Sequence, residues 1–192
     1  MIVFLYFFSI STLIVKKRHL IEYNTSQLIG RNLNELERKW EMLEEYEIND
    51  QTLAILPVDK DTSQVLETKR RFYVSKTPRM IISDSCEYYG STLDGRMHGA
   101  KVLTGIQYKT PIVVEESSPM IFFPTESPRK DLCTWINLKH VKDYYESGKK
   151  TVVLFENNKK IKVKLSKTSF QNQVYRAARL SQRLNDRKIV KK

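Results

Sequence analysis

The sequence predicts an α+β fold: a single β-rich domain followed by a basic C-terminal hairpin and an amphipathic helix. Three observations lead there. Short β-type runs are punctuated by glycine or proline every eight to twelve residues through the middle of the chain. Residues 160–165 alternate strictly between lysine and aliphatic side chains. Residues 168–188 then carry apolar side chains at helical spacing. With 192 residues, 41% of them hydrophobic and 29% charged, the chain can bury one ordinary core.

The chain begins with fifteen almost wholly apolar residues, Met1 to Val15, followed directly by Lys16, Lys17 and Arg18. A signal peptide carries its positive charge before the apolar run and a small-residue cleavage site after it, and this segment has neither. As a helix it would reach roughly 22 Å, short of a hydrocarbon core about 30 Å thick. The expectation is a start codon assigned too early. A membrane or partner-binding segment and a buried element are the alternatives. Leu33, Leu36, Trp40 and Leu43 recur at helical spacing, with Glu35 and Lys39 as an i,i+4 pair, so an amphipathic helix is expected near 32–46. These readings divide the chain into an N-terminal extension, 1–41, and a domain, 42–192.

Ile48 to Leu56 reads as a hairpin around Asn49-Asp50, closed by Pro57. Pro57 to Arg71 is polar and reads as a loop leading to a brief strand at Phe72-Tyr73-Val74. Met80-Ile81-Ile82, Val102 to Ile106, Ile112-Val113-Val114 and Met120 to Phe123 are β-type runs, and Pro124 to Asp131 reads as an exposed loop.

Chemistry-bearing motifs are missing. Two cysteines provide neither a disulfide framework nor a four-cysteine zinc site. There is no G-x-G-x-x-G, no G-x-x-x-x-G-K-[ST], no serine elbow and no H-E-x-x-H. Cys86 beside Tyr88 and Tyr89 reads as a buried thiol among packed aromatics. Cys133, His140 and His98 lack metal-ligand spacing. No cofactor, metal or enzymatic activity is expected.

The charge is unevenly placed. Of the net +11, residues 139–192 hold sixteen basic and four acidic side chains, while the preceding 138 residues are nearly balanced with 17 basic and 18 acidic. A polyanionic partner follows, either nucleic acid or an anionic membrane surface. Within the basic quarter Thr151 to Phe155 reads as a strand, residues 156–159 as a turn, and Lys160 to Leu165 as a second strand. Ile161, Val163 and Leu165 share one face, and Lys160, Lys162 and Lys164 the other. The lysine row is either a solvated edge that deters aggregation or a phosphate-facing ribbon.

A capping box of Thr168 and Gln171, with Ser169 as the alternative cap, opens the final helix. Its apolar stripe is Phe170, Val174, Ala177, Ser181 and Leu184; Asn172, Arg176, Arg179, Arg183 and Arg187 lie opposite. Arginines so spaced repel one another unless an anion is near, and the planar guanidinium suits phosphate and base edges. Small residues such as Ala177, Ala178 and Ser181 suit packing on a folded body better than insertion into lipid. Nucleic acid is therefore favoured, and a membrane-anchored or membrane-surface protein using the apolar N-terminus is the alternative.

Several segments together carry a resemblance: Ser85 to Ser91 with Gly95-Arg96, Lys109-Thr110-Pro111-Ile112, Phe122-Phe123-Pro124-Thr125, Trp135-Ile136, and Ser169 to Arg176. From about Tyr46 to Arg187 the chain resembles the bacterial competence transcription factor family, ComK. The resemblance implies a cytoplasmic activator of genes for DNA uptake and natural transformation. It would bind A/T-rich promoter boxes as a homo-oligomer, largely through the minor groove with bending, and act with RNA polymerase. The chain stops soon after the basic helix, whereas some members continue into a tail linked to proteolytic control. The expected contact set is Lys160, Lys162, Lys164, Arg176, Arg179, Arg183 and Arg187, with Asn172 for a base edge.

Overall fold

A computed structural model describes residues 41–190 of the chain. The apolar segment 1–15 and most of the expected helix near 32–46 lie outside the described residues. The part of that helix inside them is instead an extended strand, β1 (Glu41–Leu43). It pairs in parallel with β4 (Arg71–Val74), Met42 standing opposite Tyr73. A sheet edge that binds this backbone overrides a helical pattern that was only local.

β2 (Thr52–Pro57) and β3 (Ser63–Glu67) follow β1 in the chain. The expected hairpin at Asn49-Asp50 is not formed. Those residues make a turn in which the Thr52 amide donates to the Asn49 carbonyl at 3.0 Å. Ile48 has no free backbone group for a strand partner: its amide donates to Ser85 Oγ and its carbonyl accepts from the Tyr89 hydroxyl, both at 3.0 Å. The hairpin is displaced to β2 and β3. β3 runs through the segment read as a loop, and it was missed because its polar residues find partners. Ser63 Oγ donates to the Lys76 carbonyl at 2.6 Å, and Glu67 accepts from the Tyr46 hydroxyl at 2.7 Å.

Two helices replace expected strands. α1 (Pro78–Tyr88) contains Met80-Ile81-Ile82, and α2 (Leu93–Thr104) contains Val102. Their ends decide the matter. Thr77 caps α1 by accepting from the Met80 amide, with Pro78 in the first turn; Thr92 caps α2, and Gly105 closes it at φ 74°. β5 (Ile112–Val113) and β6 (Ile121–Pro124) fall where expected, and β7 (Trp135–Asn137) is a further strand that the β-type runs did not announce. Pro124 and Thr125 are buried, which shortens the exposed loop to Arg129–Leu132.

A short 3₁₀ turn (Leu138–His140) leads to β8 (Val141–Ser147), β9 (Lys150–Phe155), β10 (Lys160–Val163) and the long helix α3 (Lys167–Val190). The strands form a seven-stranded sheet, ordered β1-β4-β3-β2-β7-β6-β5, and a three-stranded sheet, β10-β9-β8. The larger sheet is buried on both faces. Ile55, Phe122 and Trp135 pack against Ile81, Ile82 and Cys86 of α1 on one side. On the other, Phe123 and Ile136 meet Val153, Phe155, Ile161 and Val163 of the small sheet and Phe170, Ala177 and Leu180 of α3. Strict alternation along β6, with Ile121 and Phe123 one way and Phe122 the other, places the sheet between two apolar layers.

Candidate nucleic-acid interface

The basic hairpin forms as the alternation predicts. Ile161 and Val163 enter the core, while Lys160 and Lys162 are exposed on the opposite face of β10; the strand ends at Val163, short of the expected Leu165, and Lys164 is exposed in the bend that follows. The cross-strand register puts Lys160 beside Leu154 and Lys162 beside Val152 on β9, and Val152 beside Tyr145 on β8. Lys160 Nζ sits 5.7 Å from the centroid of the Tyr145 ring, within cation–π range. Lys162 Nζ donates to Ser147 Oγ at 3.1 Å. The outward face is thus an aliphatic and aromatic floor rimmed with lysines.

The turn of this hairpin is anchored rather than free. Asn157 Nδ2 donates to the Thr68 carbonyl at 2.6 Å, and Lys159 Nζ donates to the carbonyls of Glu67 at 2.7 Å and Arg70 at 3.2 Å. Burial, with the nearby Arg71 guanidinium, lowers the Lys159 pKa from the usual lysine range. Lys159 is accordingly a structural tie to the β3–β4 turn, distinct from the exposed lysines after it.

Ser166 starts the helix, not Thr168 or Ser169. Its hydroxyl accepts from the Ser169 amide at 3.3 Å and its carbonyl from the Phe170 amide at 3.0 Å. The apolar stripe matches the expected residues and adds Gln173 and Leu180, both buried. Of the polar stripe, Asn172, Arg179, Arg183 and Arg187 are exposed. Arg179 and Arg183 line a shallow open depression with Tyr175, Ala178 and Gln182.

Arg176 is different. It is half-buried, and its guanidinium donates to the Tyr108 carbonyl and to Gln173 Oε1, each at 2.9 Å. Sequence spacing placed it with the other arginines; the structure ties it to the loop before β5. Nothing in helical periodicity signals such a bond, because the acceptor lies 68 residues away.

The ion pairs set the body apart from the exposed lysines of the hairpin and arginines of α3. Lys76 bonds Asp84 and Glu45, Arg79 pairs with Asp131, Arg96 with Glu116, Lys130 with Glu126, and Lys139 with Asp50. Among the described residues no carboxylate pairs with Lys160, Lys162, Lys164, Arg179, Arg183 or Arg187. The lysine row faces outward from the small sheet and the arginine row outward from α3, two surfaces joined in the chain by Leu165–Ser166. Such unneutralised cations are suited to phosphate.

The thiols lie elsewhere. Cys86 and Cys133 are both free and buried. Burial pushes the Cys86 thiol up to about 11 and raises Cys133 as well, the opposite of what activates a cysteine. Among the described residues no helix is long and apolar enough to cross a membrane.

Comparison with known proteins agrees with the resemblance. The sequence model described as ComK protein matches residues 43–189. The chain belongs to the ComK family. One relative, the competence transcription factor of Bacillus subtilis (strain 168), is 39% identical over 149 residues, covering 76% of this chain and 78% of that protein. No solved structure matches the chain. The matched range contains all of the small sheet and α3 up to Ile189, so both basic rows are parts of a ComK domain.

Proposed function

We propose that the protein is a cytoplasmic, DNA-binding transcriptional activator of competence genes that grips A/T-rich promoter duplex largely through the minor groove, as a homo-oligomer acting with RNA polymerase. The observation that carries this reading is the arginine row of α3, which no carboxylate among the described residues pairs, in a chain whose relative is a competence transcription factor. Arg179, Arg183 and Arg187 supply planar donors along about 12 Å of helix, from 1.5 Å per residue. A·T tracts narrow the minor groove and deepen its negative potential, which draws in arginine. Lys160, Lys162 and Lys164 add phosphate contacts from a second surface, and exposed Asn172 is the candidate for a base edge. The family match over 43–189 supports residues 42–192 as the DNA-binding domain and 1–41 as an extension.

Duplex titrations test this. The full chain should prefer A/T-rich over G/C-rich duplex of equal length. If about six phosphates are neutralised, affinity should fall roughly 10³-fold between 50 and 200 mM salt. Indifference to both sequence and salt would end the reading.

A further inference from the structure

Tyr108, in the loop between α2 and β5, is 81% exposed, more than any other large apolar or aromatic side chain among the described residues. Exposed loop tyrosines are ordinarily free to move, but the backbone beneath this one is held from several sides. Gln173 of α3 is 2% exposed; its Nε2 donates to the Pro124 carbonyl at 2.6 Å and to the Lys109 carbonyl at 3.2 Å. Arg176 donates to the Tyr108 carbonyl and is itself braced by Gln173 Oε1. Lys109 has a left-handed backbone, φ 47°, and its Nζ donates to the Thr125 carbonyl at 3.2 Å. Thr110 Oγ1 donates to the Ile106 carbonyl at 3.1 Å.

A left-handed non-glycine residue beside an exposed ring whose backbone is tied to a helix is unusual on an ordinary surface. Tyr175, another exposed tyrosine, has its hydroxyl bonded by Gln171, and Tyr145 lies under Lys160. Tyr108 makes no ring contact among the described residues, and it is fastened to the helix that carries the arginine row. With the loop backbone ordered in advance, only the side-chain torsions of the tyrosine remain to be fixed when it binds a flat partner.

We infer that Tyr108 is an aromatic DNA contact, stacking at a base step beside the arginine row, and that Arg176 and Gln173 are positioning residues that hold its loop. This rests on the DNA-binding reading. Bases offer the flat faces that such a ring recognises, and pyrimidine–purine steps open readily to an inserted side chain.

The test compares affinities and salt slopes of the full chain for one A/T-rich duplex. Tyr108→Ala should weaken binding of the order of tenfold with its salt slope unchanged, since no cation is lost. Tyr108→Phe should bind like the parent. Arg176→Met should weaken binding with the slope again unchanged, and Arg176→Met combined with Tyr108→Ala should be no worse than either alone. Lys162→Met, as a phosphate-contact control, should reduce the slope by about one. Thermal melting of each variant confirms that it is folded. Parent-like binding by Tyr108→Ala, or loss of binding by Tyr108→Phe, overturns the stacking role. A slope reduced by about one in Arg176→Met overturns the positioning role. A parent chain that binds no duplex at all instead refutes the DNA-binding reading itself.

Discussion

Cys86 sits at the contact of α1 with the larger sheet, fully buried, and its environment disfavours the thiolate. Its pKa rises from an ordinary 9.0 to about 11, chiefly through burial. Between those values the unfolded chain releases the proton and the folded chain keeps it. This contribution to stability is therefore complete below about pH 9 and is lost as pH rises towards 11, a change of about 2–3 kcal/mol. Burial also raises the phenol of Tyr46 and those of Tyr89 and Tyr144, so alkaline destabilisation should be general. Thermal midpoints measured from pH 8 to 11 should fall for the parent chain and fall less steeply for Cys86→Ala. An identical slope in both would show that the Cys86 thiol does not take part. The burial of Cys86 was legible from its aromatic neighbours. Its bonding layer was not, since Ser85 next to it holds the amide of Ile48, 37 positions away.

At the scale of elements, α3 separates into parts that behave differently on substitution. Arg179 and Arg183 are exposed, have no carboxylate partner among the described residues, and as an i,i+4 pair repel each other. Arg179→Glu with Arg183→Glu should abolish duplex binding and leave the melting temperature within a few degrees of the parent. Arg176→Glu should lower the melting temperature as well, because it strips the donor from the Tyr108 carbonyl and Gln173 Oε1. Equal thermal effects would contradict the division drawn between these arginines. The arginine row and the alternating hairpin could be read in advance because each is a periodicity within one element. α1 and α2 could not, because a run such as Met80-Ile81-Ile82 suits a buried strand and a buried helix equally. Threonine caps and a left-handed glycine settled what the runs left open.

Across the whole molecule, Phe170 joins the basic quarter to the body. It is fully buried, with ring centroids 5.6 Å from Phe123 on the larger sheet and 5.1 Å from Tyr144 on the smaller one. Its neighbours come from α3 and both sheets, so the layers should unfold together. Phe170→Ala should cost about 3–5 kcal/mol, a large share of the roughly 5–15 kcal/mol typical of a domain. Denaturant curves followed by far-ultraviolet circular dichroism and by tryptophan fluorescence should coincide in both proteins. Two separated transitions in the parent would mean that the sheets are independent.

Net charge, alternation along β10, the apolar stripe of α3 and the exposure of most cationic candidates were readable from the chain alone. Each depends on residues within a few positions of one another, where backbone geometry repeats. Only tertiary structure drew Met42 into a parallel strand, threaded β3 through a polar segment, and turned Lys159 and Arg176 from surface cations into ties. Those outcomes depend on which distant carbonyl or sheet edge comes within about 3 Å of a donor, and no local pattern encodes that proximity.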